Sequence, residues 1–110
     1  MHGKKIITPV SAHSHRRHAL ILDVRNPDEY QECHIAGSVL HPLPSLDPET
    51  ILALRKDAEF CYLVCAAGKR ASMAADILSA SGHEEIHVIE GGMQGWLDAS
   101  LPVIRKEVLR

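Results

Sequence analysis

Apolar residues in this chain are concentrated in five short runs, separated by segments of mixed polarity. The runs are rich in Val, Ile and Leu and have no polar face, which is typical of strands buried on both sides of a parallel sheet. We therefore predict an α/β fold with helices covering both faces of the sheet. The predicted strands are Lys5 to Ile7, Ala19 to Val24, Ser38 to Leu40, Phe60 to Cys65 and Ile86 to Ile89.

Proline marks three predicted helix starts. It is favoured in the first helical turn, and a Thr, Asn or Asp before it can accept hydrogen bonds from the free N–H groups there. After Asn26-Pro27, Glu29 also lies where a capping box needs an acid. The three pairs are Thr8-Pro9, Asn26-Pro27 and Asp47-Pro48.

Two more helices are predicted in the second half of the chain. The spacing of Ala74, Ile77 and Leu78 indicates one apolar face on a helix from Ala71 to Ala80, and a glycine two residues later marks its end. A shorter helix is predicted from about Met93 to Ala99.

Composition narrows the class of protein. The 110 residues, 45% hydrophobic and 24% charged, suit one globular domain spanning 1–110. The net charge of −2, with both signs interspersed, gives no field that would attract nucleic acid or anionic lipid. No run is long enough to span a bilayer, and the start lacks the apolar stretch of a secretory signal. We expect a cytoplasmic protein with no nucleic-acid or membrane partner.

The three cysteines are Cys33, Cys61 and Cys65. An odd number in a chain without a signal argues against a disulfide framework. Cys61 lies within a predicted strand, where a packing role is expected. Cys33 could act as a resolving thiol or sulfur relay, but a surface or packing role is favoured.

Reactive side chains follow two of the predicted strands. Asp23 and Arg25 end one, and Cys65 ends another. Ligands of parallel sheets gather at the carboxyl ends of the strands. We expect Asp23 and Arg25 to support the site, and a buried acid needs either an ion pair or backbone hydrogen bonds.

The residues after Cys65 favour chemistry over packing. They form a short loop with Gly68 that leads directly into a helix, and such a loop turns backbone N–H groups inward to hold an anion. Two cations and the helix N-terminus favour the thiolate, which is the nucleophilic form of cysteine. A cysteine that only packs needs no such sequence. The loop consists of Ala66, Ala67, Gly68, Lys69 and Arg70.

Several segments resemble, in order, motifs of the rhodanese, or thiosulfate sulfurtransferase, family. The loop is similar to its Cys-x-x-Gly-x-Arg motif, and the other segments to its Asp-Val-Arg with Glu-Tyr, His-Ile-x-Gly-Ala, Gly-Gly-x-x-x-Trp and Leu-Pro-Val motifs. The matching segments are Leu22-Asp23-Val24-Arg25 with Asp28-Glu29-Tyr30, His34-Ile35-Ala36-Gly37-Ser38, Cys65-Ala66-Ala67-Gly68-Lys69-Arg70, Gly91-Gly92-Met93-Gln94-Gly95-Trp96 and Leu101-Pro102-Val103.

The resemblance implies a rhodanese-like domain, with a core from about 5 to 103 and a five-stranded parallel sheet. It also implies that Cys65 takes a sulfane sulfur from a small anionic donor such as thiosulfate and holds it as a persulfide. The acceptor would be cyanide, a cellular thiol or a thioredoxin-like protein, and no cofactor is expected.

On this interpretation, Lys69 and Arg70 bind the oxygens of the donor, and the N–H groups of Ala66 through Arg70 hold the persulfide. A cation is unfavourable at a helix N-terminus, so Arg70 is explained either by substrate or by an ion pair with a nearby carboxylate.

Two other functions stay open at this point. The first is a cysteine phosphatase or arsenate reductase, which on the same fold has five residues between Cys and Arg. Only four separate Cys65 from Arg70, which indicates a pocket sized for sulfur. The second is a non-catalytic regulatory or interaction module, and such modules commonly lack the cysteine.

The histidine cluster, in which His13, His15 and His18 flank two arginines, is a candidate metal site. The arginines would repel a cation, and no acid or cysteine lies nearby in the sequence. We predict a solvated helix end or loop there and no metal site.

Overall fold

The computed structural model describes residues 3–106. Over that range the strands are β1 (Lys4–Ile7), β2 (Ala19–Asp23), β3 (Cys33–Ile35), β4 (Val39–Leu40), β5 (Phe60–Val64), β6 (Ile86–Ile89) and β7 (Val103–Arg105). The helices are α1 (Pro9–Ser14), α2 (Pro27–Glu32), α3 (Pro48–Arg55), α4 (Lys69–Ala80) and α5 (Gly92–Asp98), with short 3-10 turns at Arg16–His18 and Leu43–Ser45.

Five of the strands form a parallel sheet in the order β1-β6-β5-β2-β4, which confirms the predicted fold class. The prediction that every strand is buried on both faces is wrong for β1. Its first three residues are exposed because β1 is an edge strand with one neighbour. β3 and β7 pair antiparallel in a separate two-stranded sheet that was not predicted, since each has only three residues.

The two faces of the sheet carry separate apolar cores, as the alternation of side chains along a strand requires. One core packs the sheet against α3 and α4, and the other packs it against α1 and α5. The first contains Leu20, Leu22, Leu63, Ile51, Ala74 and Leu78, and the second contains Ile21, Tyr62, Val64, Ala12, Met93 and Trp96.

The three helix starts marked by proline are confirmed. Thr8 Oγ1 accepts a hydrogen bond from the Ser11 N–H at 3.2 Å, and Glu29 Oε1 accepts one from the Asn26 N–H at 3.0 Å. α4 begins two residues before the predicted start. The placement of Ile77 on its buried face was wrong, because Ile77 is 42% exposed.

The order of the strands places the acid and the thiol at one edge. β2 and β5 are direct neighbours, and Asp23 pairs in register with Val64, the residue before Cys65. The Val24 N–H also donates to the Val64 carbonyl oxygen at 3.0 Å. No helix within residues 3–106 is both long and apolar enough to cross a membrane.

Candidate active site

Cys65 directly follows β5, and the period of the strand determines where its side chain lies. Cys61, Leu63 and Cys65 alternate onto the face of the sheet that α4 covers. The side chain therefore lies beneath the first turn of α4. Cys65 is 1% exposed, so the surrounding protein rather than bulk water sets the environment of its sulfur.

Two backbone groups donate hydrogen bonds to the Cys65 sulfur. The Gly68 N–H lies 3.1 Å from Sγ, and the Ala71 N–H lies 3.3 Å from it. Gly68 has φ +115°, a conformation that favours glycine, and it precedes α4. The sulfur of Cys65 therefore lies at a helix N-terminus, where backbone N–H groups are directed at it. Ala71 was not among the predicted site residues, because it already lies inside the helix.

The start of α5 fixes the other side of the loop. The Met93 N–H donates to the Cys65 carbonyl oxygen at 2.8 Å, and the Gln94 N–H donates to that of Ala66 at 3.2 Å. The C=O and N–H groups of a trans peptide point in opposite directions. The N–H groups of Ala66 and Ala67 share their peptides with these two carbonyl groups, so they point away from α5.

Four N–H groups of the loop are available to a ligand. Within residues 3–106, no acceptor is present for the N–H groups of Ala66, Ala67, Lys69 and Arg70. The last two belong to the first turn of α4, where helical N–H groups have no partner within the helix. With Gly68 they make up the loop that the sequence predicts to hold an anion.

Arg70 forms a bidentate ion pair with Glu29. Nη1 donates to Oε1 at 2.7 Å, and Nη2 donates to Oε2 at 2.9 Å. This hydrogen bonding lowers the pKa of Glu29 from 4.5 to about 2, against the opposing effect of burial. The pKa of Arg70 is raised, first by the same hydrogen bond and also by the charges of Cys65 and Asp23. Of the two explanations for a cation at position 70, substrate binding and an ion pair, the ion pair is present in the structure.

Glu29 was recognised in the sequence as a capping acid of α2 and as part of the Glu-Tyr motif, but not as a partner of Arg70. Its contact with Arg70 joins residues 41 positions apart, and no local pattern gives that signal. Lys69 is different, because it is exposed and has no ion-pair partner among the residues described. It is the loop cation whose charge is free to attract an anion.

Asp23 and Arg25 form a buried ion pair with each other, which is one of the two arrangements expected for the buried acid. Arg25 Nη2 lies 2.8 Å from Asp23 Oδ2, and Nε lies 2.9 Å from Oδ1. Asp23 is fully buried. Arg25 also donates to the Cys33 carbonyl oxygen at 2.7 Å, so it links β2 to the start of β3.

The other cysteines differ from Cys65 in their surroundings. Cys61 is fully buried within β5, and burial raises the pKa of its thiol to about 12. That confirms packing as its role. Cys33 is half-buried and contacts the core that includes Trp96.

A groove of about 280 Å³ lies beside the loop. Its lining includes Ala67 and Gly68 of the loop and exposed Ile6 of β1. The histidine cluster occupies the mostly exposed end of α1 and the following turn, as predicted. In the part of the chain that the structure describes, no three His, Cys, Asp or Glu side chains are grouped to hold a metal ion.

Comparison with known proteins gives a family match over most of the chain. The model of the rhodanese-like domain matches residues 8–99. That range includes the loop from Cys65 to Arg70, the Asp23–Arg25 pair and the start of α5.

Curated relatives agree with this match. The chain is 34% identical over 76 residues to "Putative sulfur carrier protein YrkF" of Bacillus subtilis, covering 69% of this chain and 40% of that protein. It is 27% identical over 100 residues to "Thiosulfate sulfurtransferase GlpE" of Vibrio cholerae, covering 88% of this chain and 90% of GlpE. The chain thus spans less than half of YrkF but nearly all of GlpE.

A solved structure shows the same architecture. The crystal structure of a rhodanese-related protein from Thermoplasma volcanium superimposes with a TM-score of 0.81 at 31% identity, covering 94% of this chain and 99% of that one.

Proposed function

This chain belongs to the rhodanese-like domain family, and we propose that it is a sulfurtransferase in which Cys65 carries a sulfane sulfur from a small anionic donor such as thiosulfate. One observation carries the proposal: the N–H groups of Gly68 and Ala71 donate to the Cys65 sulfur at the start of α4. These groups stabilise a thiolate before reaction, and they lie where a persulfide anion would form.

The proposed reaction consists of two displacements. The Cys65 thiolate attacks the outer sulfur of thiosulfate, a new S–S bond forms, and the S–S bond of the donor breaks as sulfite leaves with the electron pair. An acceptor then attacks the outer sulfur of the persulfide, and the Cys65 thiolate is released. Cyanide would become thiocyanate, and a thiol would become a persulfide. The enzyme bears the sulfur covalently between the two steps.

Lys69 and the free N–H groups of the loop would bind the donor. Lys69 is the loop cation without an ion-pair partner among residues 3–106, so its charge attracts the approaching anion. The N–H groups of Ala66 and Ala67 lie at the mouth of the loop and would donate hydrogen bonds to oxygens of the donor or to the terminal sulfur.

An acceptor would reach Cys65 through the mouth of the loop. Ala66 and Ala67 are exposed and carry only methyl side chains, so the loop has no bulky cover. Such a mouth suits a cellular thiol, including one carried by a thioredoxin-like protein. We place the reaction in the cytoplasm, where thiols stay reduced, because all three cysteines are free.

Phosphatase or arsenate reductase chemistry is less well supported. The loop is one residue shorter than such enzymes use, and Glu29 occupies both terminal nitrogens of Arg70. A non-catalytic module would not need a thiol with two N–H donors directed at it.

The test is sulfur loading. After incubation with thiosulfate, we expect the intact mass to rise by one sulfur atom, localised to Cys65 by peptide mapping. Cys65→Ser should abolish the gain, and the matched variant Cys61→Ala should retain it. No adduct together with turnover of an aryl phosphate would establish the phosphatase instead. Absence of both activities would leave the regulatory module and overturn the proposal.

A further inference from the structure

The Glu29–Arg70 contact engages both terminal nitrogens of Arg70. Both terminal nitrogens of Arg70 donate to Glu29, one to each carboxylate oxygen. A second contact fixes the Glu29 carboxylate, because Oε1 also accepts a hydrogen bond from the Asn26 N–H at 3.0 Å. The side chains are only 32% and 30% exposed, so the pair is shielded on most sides. Bidentate pairs of this kind are the strong and directional ones.

The charges around the thiol almost cancel. Arg70 is neutralised by Glu29, and Arg25 is neutralised by Asp23. Lys69 then remains as the one unpaired cation of the loop and its two supporting pairs within residues 3–106. A doubly charged donor therefore meets one compensating cation, whereas a loop with Arg70 free would offer two. Coulomb energy is proportional to the charge of the ligand, so this difference weighs most on dianions.

We propose that Glu29 is a specificity-determining residue, which withholds Arg70 from the ligand and so favours donors with one negative charge over doubly charged oxyanions. This rests on the proposed sulfur transfer and deepens it by naming the charge class of the donor. Thiosulfate is then a substrate that binds weakly. The pair persists at all physiological pH values, since the pKa of Glu29 is lowered to about 2.

Glu29→Gln is the informative variant. Glutamine also serves in a capping box, so the start of α2 is retained. The substitution removes the negative charge that faces Arg70. Asp28→Asn is the matched control, because it removes an exposed acid from the same helical turn. The double variant Glu29→Gln/Arg70→Ala removes the cation that Glu29→Gln would release.

The first measurement uses sulfate, an inert dianion, so it does not depend on sulfur transfer. Sulfate is titrated onto each variant while NMR follows the amide signals of Gly68 and Ala71. We expect Glu29→Gln to bind sulfate about tenfold more tightly than the parent protein. Asp28→Asn should bind as the parent does, and the double variant should lose the gain. Unchanged or weaker sulfate binding by Glu29→Gln, or a gain retained in the double variant, would overturn the proposal whether or not the protein transfers sulfur.

The second measurement compares two sulfane donors that differ in charge. Thiosulfate is a dianion, and methanethiosulfonate is a monoanion with the same terminal sulfur. Because the Coulomb energy halves with the charge, a tenfold fall in KM for thiosulfate corresponds to about a threefold fall for methanethiosulfonate. A purely structural role of Glu29 would lower kcat for both donors equally and leave the KM ratio unchanged.

Discussion

The Met93 N–H donates a hydrogen bond to the Cys65 carbonyl oxygen at 2.8 Å, so the first turn of α5 is attached to the residue that bears the thiol. The contact is possible because Gly92, the first residue of α5, has no Cβ to separate the helix from the loop. A Cβ on Gly92 would lie 2.3 Å from the Cys65 oxygen and 2.8 Å from the Ala66 carbonyl group. The glycine therefore sets how closely α5 approaches the loop.

Gly92→Ala should displace the loop and slow sulfur loading. The new methyl group would clash with backbone that cannot move aside freely, and φ at this position is +58°. We expect a loss of about 2–3 kcal/mol in the free energy of unfolding and at least a tenfold fall in the loading rate. Urea unfolding and timed mass spectrometry measure the two effects.

Gly82→Ala is the control that introduces backbone strain at a positive φ without a steric clash. Its φ is +92°, but no atom lies within 4 Å of the position of a new Cβ. It should destabilise the protein by about 1 kcal/mol and leave the loading rate unchanged. Equal loading rates in the Gly82 and Gly92 variants would show that α5 does not position the loop.

Lys69→Ala should weaken donor binding without affecting stability. Lys69 is exposed and unpaired among the residues described, so its removal takes away charge and no packing. We expect KM for thiosulfate to rise about five- to tenfold and to depend less on salt concentration, with kcat nearly unchanged. Arg17→Ala, which removes another exposed cation, is the control, and a similar rise in KM there would argue against a local role for Lys69.

The Glu29–Arg70 pair should make stability depend on pH in the acid range. The fold lowers the pKa of Glu29 from 4.5 to about 2, so the ionised form is favoured in the folded state. Its contribution is therefore complete above about pH 4.5 and is lost as the pH falls toward 2. At this partly exposed pair we expect about 1 kcal/mol after solvent screening.

The measurement is the difference in unfolding free energy between the parent protein and Glu29→Gln at pH 7 and at pH 3. That difference should shrink by roughly half or more at the lower pH. A difference independent of pH would mean that Glu29 stabilises the protein through packing rather than charge.

Asp23→Asn should be strongly destabilising. It would leave Arg25 buried without a charged partner, and breaking one side of a buried ion pair costs about 3 kcal/mol or more. Glu32→Gln is the control, since the Glu32–Lys106 pair is exposed and 3.7 Å long, and it should show no measurable change. Urea unfolding of both variants at pH 7 tests the contrast, and similar midpoints would contradict it.

Much of the fold follows from local patterns. Short apolar runs predicted all five strands of the parallel sheet, and the Pro-marked caps predicted three helix starts. Strand period and the following loop also place Cys65 beside the N-terminus of α4, because both depend on residues close in sequence. The pairing of β3 with β7 escaped detection because neither three-residue segment has a recognisable period.

The sequence by itself therefore determined the class of fold and the position of Cys65 at the start of its loop. Only the tertiary structure decided which cation of that loop is free. Glu29 and Arg70 lie 41 positions apart and meet because neighbouring strands β2 and β5 bring the start of α2 to the start of α4. The attachment of α5 to Cys65 likewise depends on how the helices pack at one edge of the sheet, which no local pattern specifies.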